Sequence, residues 1–91
     1  MPLYAVTYDL NNKKDYHKLW AEFERLGGHK AAESFYFLDV NSKTAVDLRN
    51  HLATFVDADD TLIVVPMPQR PAPRQAKHGT NAWLDKKYGP A

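Results

Sequence analysis

An α/β domain, one sheet with two helices packed on a single face, is what this sequence predicts, and three observations predict it. Along the first 67 residues the apolar positions switch between a period of two and a period of about 3.6, in the order strand, helix, one or two strands, helix, strand. The chain has 91 residues, enough for one core and no second. Its composition, 44% hydrophobic and 25% charged, is that of an ordinary globular domain and excludes wholesale disorder.

The first strand is predicted over Leu3 to Tyr8. Tyr4, Val6 and Tyr8 fall on one face and Leu3, Ala5 and Thr7 on the other, all side chains a pleated sheet tolerates. Asp9-Leu10-Asn11-Asn12 ends it, because Asp and Asn side chains favour turns by bonding nearby backbone. Tyr16, Leu19, Trp20, Phe23 and Leu26 then form an apolar stripe about three helical turns long, with Asp15 placed to cap its start and Gly27-Gly28 placed to stop it. Residues 31 to 40 are dense in aromatics. Ten residues is long for one strand, so Glu33-Ser34 is expected to mark a bulge or a break between two short strands.

Ser42 is the expected N-cap of a second helix, whose stripe is Ala45, Leu48, Leu52 and Phe55, widened by Val46 and Val56. After the polar turn Asp57-Ala58-Asp59-Asp60 comes the most apolar strand, Thr61 to Val65. It is apolar on both faces, which predicts a central strand or one covered twice. Past Pro66 the character changes. Five of the six prolines lie between Pro66 and Pro90, which blocks helix and inner-strand pairing, so residues 68–91 are expected to be an extended tail beyond a domain of residues 1–67. Within that tail, Asn81-Ala82-Trp83-Leu84 is expected to make one turn anchored by the indole.

The order β-α-β-β-α-β is that of a ferredoxin-like sandwich: an antiparallel sheet of four or five strands with both helices on one face. A body this small buries only about 60% of its unfolded surface, and the helices cover one sheet face. A homodimer is the economical way to cover the other, with the aromatic run Phe35 to Phe37 shared between core and interface and the tail docking on a sheet edge or on the partner subunit.

Several function classes drop out. Without cysteine there is no disulfide scaffold, thiolate zinc site or cysteine nucleophile. No apolar run reaches the roughly 18 residues of a membrane span, and the N-terminus lacks the pattern of a signal peptide, so a cytoplasmic location without membrane partners is expected. His17, His29, His51 and His78 show no metal-ligand spacing and read as surface residues. No Ser-His-Asp arrangement or Gly-rich phosphate loop is legible. Charge is asymmetric: residues 1–67 carry seven Lys/Arg against ten Asp/Glu, whereas residues 68–91 carry five Lys/Arg against Asp85 alone. Lys13 and Lys14, together with Arg70, Arg74 and Lys77 of the tail, are the candidate contacts to a phosphate backbone of RNA or DNA, although a pI near 8.0 is low for a dedicated nucleic-acid binder.

The ordered set of Tyr4-x-Val6-x-Tyr8-Asp9-Leu10-Asn11, Leu26-Gly27, Ser34-Phe35-Tyr36-Phe37-Leu38, Leu48-Arg49-Asn50-His51-Leu52 and Asp57-Ala58-Asp59-Asp60-x-Leu62 resembles the CRISPR-associated protein 2 family and its VapD-like and SinR-like stand-alone relatives. The likeness runs from about residue 3 to 65. It departs from the CRISPR-linked members where Ala32 and Glu33 replace a Gln before the Ser-x-aromatic strand. The resemblance implies a ferredoxin-like homodimer and, for several members, divalent-metal-dependent endonuclease action on RNA or DNA. It assigns the metal-ligand and catalytic role to the aspartate closing the first strand, once from each subunit, and only Asp9 matches. Mg²⁺ or Mn²⁺ suits such a site, since a hard cation takes oxygen ligands and needs few carboxylates. Two readings of Asp9 stay open: metal ligand, or the Asx-turn that ends the strand. Two function classes stay open with them, a metal-dependent nuclease and a non-enzymatic interaction or regulatory module, which a protein partner on the tail would suit.

Overall fold

The structure, a computed structural model, describes residues 3–10 and 16–90. Four strands, β1 (Leu3–Asp9), β2 (His29–Ala32), β3 (Phe35–Asp39) and β4 (Thr61–Pro66), form one antiparallel sheet in the order β2-β3-β1-β4. Helices α1 (His17–Arg25) and α2 (Ala45–Ala53) make the crossovers. This is the ferredoxin-like arrangement, with β1 at the centre because both of its neighbours come from across a crossover.

One face of the sheet carries the main core. The even-numbered residues Tyr4, Val6, Tyr8, Tyr36 and Leu38 meet Leu19 and Phe23 of α1 and Leu48 and Leu52 of α2. Behind them Trp20 Nε1 donates to the Tyr8 hydroxyl at 2.7 Å. The two glycines that stop α1 have different reasons to be there. Gly27 adopts φ +72°, which a side chain disfavours. Gly28 is pressed against the sheet: a Cβ there would lie 2.5 Å from Leu38 Cδ2 and 3.1 Å from the Phe23 carbonyl oxygen.

The aromatic stretch does break into two strands. Ser34 turns the chain at φ 55°, and a register shift between Lys30 and Ala32 marks the bulge. The first of these strands starts at His29, two residues before the aromatic-rich segment. Three expectations are corrected. The cap of α2 is Thr44, not Ser42: the Thr44 hydroxyl accepts from the Asp47 amide at 3.0 Å. The strand Thr61 to Val65 is not central but an edge. Leu62 and Val64 pack on the helix-side core, while Ile63 and Val65 stay 51% and 49% exposed, so one of its two apolar faces is half open among the described residues. And the tail is extended only as far as Gly79, after which a third helix, α3 (Thr80–Tyr88), takes nine residues rather than one turn. Asp15, the expected cap of α1, lies outside the described residues.

The third helix lies on the sheet face opposite α1 and α2, over the β2–β3 half. Fully buried Leu84 joins Ala5, Ala31, Phe37 and Met67 in a smaller apolar cluster of the same domain, and Trp83 stacks on Phe37 with centroids 5.7 Å apart. The tail therefore docks on its own sheet face. It touches the β2 edge through one backbone bond, from the Lys77 amide to the Ala31 carbonyl at 2.9 Å.

Candidate functional site

Asp9 is the last residue of β1 and is exposed. Its odd position places it on the face opposite α1 and α2, in line with Thr7 and beside β4, where Asp9 pairs with Thr61 and Thr7 with Ile63. The strand ends there: Leu10 leaves the ladder and is buried.

That pairing brings a second set of carboxylates to the same end of the sheet. Asp57, Asp59 and Asp60 form the turn that delivers the chain to Thr61, and one carboxylate oxygen from each lies within 4.8 Å of the others. Part of the turn is self-bonded: the Asp57 amide donates to Asp60 Oδ2 at 2.8 Å, and the Asp60 amide to the Asp57 carbonyl at 3.1 Å. A shallow pocket of about 260 Å³ opens beside it, lined by Leu10, Lys18, Phe55, Val56, Asp57 and Asp60. In sequence this stretch reads as a polar turn; its Asp-x-Asp-Asp string is the available signal, but only the register of β4 against β1 places it at the same end of the sheet as Asp9.

An oxygen-only donor set of this kind fits a hard divalent cation, which takes carboxylate and water oxygens and completes its shell with phosphate. The residue before Asp9 is firmly packed. Tyr8, the preceding residue, is buried among Tyr16, Phe23 and Tyr36, and burial pushes its hydroxyl pKa up to about 12, against the lowering effect of the Trp20 bond. It stays a neutral phenol at every physiological pH and serves packing.

Two of the tail cations are tied to other parts of the chain. Arg70 pairs with Asp85 at 2.9 Å and donates to the Gly89 carbonyl at 3.1 Å. Lys77 pairs with Glu33 at 3.1 Å, which holds the Glu33 carboxyl below its ordinary range. Arg74 is exposed. Lys13 and Lys14 lie outside the described residues. Phe35 and Phe37 lie under the tail, whereas Tyr36 points into the helix-side core.

Two histidines make specific side-chain bonds, His51 from an exposed position. His51 donates from Nε2 to the buried Glu22 carboxylate at 2.5 Å, and Glu22 also takes both arms of Arg25, at 2.7 and 2.6 Å. His29 is half-buried against α3. There the Thr80 hydroxyl donates to the Lys77 carbonyl and is left to accept from His29 Nε2 at 2.7 Å.

A small antiparallel α/β sandwich with an exposed carboxylate at the end of its central strand is thus the class that fold and site define. The family model for CRISPR associated protein Cas2 matches residues 1–74, more than three quarters of the chain, and the chain belongs to that family. The match includes Asp9, the acidic turn and the start of the tail, and stops short of α3. Among the described residues no helix is long and apolar enough to cross a membrane.

Proposed function

We propose that this chain works as a homodimer on RNA or DNA and hydrolyses phosphodiester bonds with the help of Mg²⁺ or Mn²⁺ held by Asp9. The observation that carries the reading is the place of Asp9: exposed, at the end of the central strand, on the sheet face the chain leaves partly open, and beside a second carboxylate group. Family membership supports a dimer, and the apolar edge strand β4 supports it independently, because Ile63 and Val65 lie beside Ala5 and Thr7 and stay half exposed among the described residues. A two-fold axis near β4 would give the site one Asp9 from each subunit.

In this reading Asp9 supplies the ligand charge. The cation, when bound, polarises a phosphoryl oxygen and lowers the pKa of water. Lys13, Lys14 and the exposed Arg74 contact the nucleic-acid backbone; Arg70 and Lys77 join them where their internal pairs yield to phosphate. A second reading, a dimeric interaction module in the cytoplasm that binds a protein partner through its tail, draws support from those same pairs, which tie tail cations to the body.

The deciding experiment incubates the purified chain with single- and double-stranded RNA and DNA, with Mg²⁺, with Mn²⁺ and with a chelator. Metal-dependent cleavage is expected, with Asp9→Asn lowering the rate at least about a hundredfold, at or above the roughly 10–100-fold that loss of a mere outer-shell partner costs, and leaving the melting temperature unchanged. Absence of cleavage on every substrate removes the enzyme and leaves the module. A large fall in melting temperature for Asp9→Asn assigns Asp9 to the turn.

A further inference from the structure

The sheet face opposite α1 and α2 is apolar across its width, but it is covered on one side only. Over β2 and β3, the residues Ala31, Phe35 and Phe37, with Ala5 of β1, lie beneath Trp83 and Leu84. Over β4, Ile63 and Val65 stay half exposed. Register makes these one continuous surface, since Ala5 pairs with Val65 on one side and with Phe37 on the other.

The cover is held at its centre by few side chains and at its rim by polar ties. Arg70 grips α3 near its C-terminal end through Asp85 and the Gly89 carbonyl. The Tyr88 hydroxyl donates to the Met67 carbonyl at 2.8 Å, and Lys87 reaches Asp39 at 2.8 Å. Nor does the cover seal the ground beneath it. An apolar groove of about 370 Å³ runs between Ala5, Phe35, Phe37 and Met67 below and Pro71 and Pro73 above.

We infer that α3 and the arm before it are a strap that competes with a second copy of this chain for the sheet face, with Arg70 as its latch. The inference rests on the homodimer reading above. A stable pair of chains buries roughly 800 Å² on each partner, and a six-residue edge strand bearing Ile63 and Val65 is narrow for that. The apolar ground that adjoins it lies under α3. Strap and second copy cannot both occupy Phe37 and Ala5. Whatever holds the strap down therefore weakens pairing by the fraction of chains in which it is closed.

The test uses the full chain. Arg70→Glu turns the latch into a repulsion against Asp85, and Arg70→Glu with Asp85→Arg restores the attraction. Hydrogen exchange of the α3 amides reads the strap, and sedimentation reads self-association. Arg70→Glu is expected to speed α3 exchange at least tenfold and to tighten self-association at least fivefold, with both effects reversed in the double variant. Tyr88→Phe, which removes only the hydroxyl bond to Met67, shifts both in the same direction by less and guards against misfolding of the charge variant. Faster exchange with unchanged or weaker association overturns the strap, as does exchange that stays unchanged in both variants. A dimeric wild type with an equally dimeric Arg70→Glu chain sinks the strap and keeps the dimer. A monomeric wild type with a pairing variant keeps the strap and sinks the dimer as the resting state. If both chains stay monomeric, both readings fall.

Discussion

Glu22 is the residue whose chemistry is most sharply set by its neighbours. It is 5% exposed, yet it keeps its charge, because the bidentate Arg25 guanidinium, and after it the His51 ring nitrogen, bond the ionised form more strongly than burial opposes it. Its pKa falls from 4.5 to about 2. A carboxyl whose folded pKa is depressed contributes stability that is fully present above its unfolded pKa and is lost as pH falls through the folded one. The loss therefore spans pH 4.5 down to about 2. Denaturant melts across pH 2 to 6 are expected to show stability declining over that window. In Glu22→Gln the decline flattens, and stability at pH 7 drops by about 1.5–3 kcal/mol, the range for a hydrogen bond to a charged group. An unchanged acid limb in the variant would move the source of acid sensitivity elsewhere. Neither Glu22 nor Arg25 stands out as a sequence position: they are an ordinary i, i+3 pair, and only the packing of α2 on α1 brings His51 to them.

At the scale of elements, the turn after α1 separates two uses of glycine that look identical in sequence. Gly27 needs its left-handed φ but has open space around the Cβ position. Gly28 has ordinary φ and no space. Gly27→Ala is expected to cost about 1 kcal/mol, the price of a left-handed alanine. Gly28→Ala is expected to cost about 1–3 kcal/mol by forcing Leu38 and the adjoining backbone apart. Thermal melts that rank the two in reverse would refute the close approach. The helix stop itself was legible, as were β1, the paired short strands and both crossover helices, because their apolar periods report which face meets the core. What periodicity does not report is what lies on the other face. Thr61 to Val65 has the pattern of a doubly covered strand and occupies an edge, since an apolar side chain awaiting a partner reads the same as one already packed. The proline-rich stretch hid α3 for the opposite reason: its prolines forbid a helix only as far as Pro73, and nine residues from Thr80 are free of them. Asp9 was legible as a strand terminator; its company with Asp57, Asp59 and Asp60 was not, because it depends on which strands pair.

The whole molecule is built around an asymmetry between its two sheet faces, one closed by α1 and α2 and the other half closed by α3. If the open half is where two copies meet, Ile63 and Val65 are its centre, and Asp9 stands at its end on the same face. A lysine at either position has solvent to extend into in the single chain, so Ile63→Lys and Val65→Lys leave monomer stability within about 0.5 kcal/mol, as surface substitutions do. In a dimer the same lysine would be buried against an apolar partner without a counter-charge, which costs several kcal/mol per subunit. Sedimentation is therefore expected to move from roughly twice the 10.4 kDa chain mass to the chain mass itself, at concentrations where the unaltered protein stays paired. Cleavage should disappear with pairing, because a site that draws one Asp9 from each subunit does not exist in a monomer. Activity measured on dilution gives the independent check: the rate per chain falls once the concentration drops below the dissociation constant, and it falls at higher concentration in the lysine variants. A variant that is monomeric by sedimentation yet cleaves at the full rate per chain would place the whole site within one subunit, on Asp9 and the acidic turn that its own β4 brings beside it.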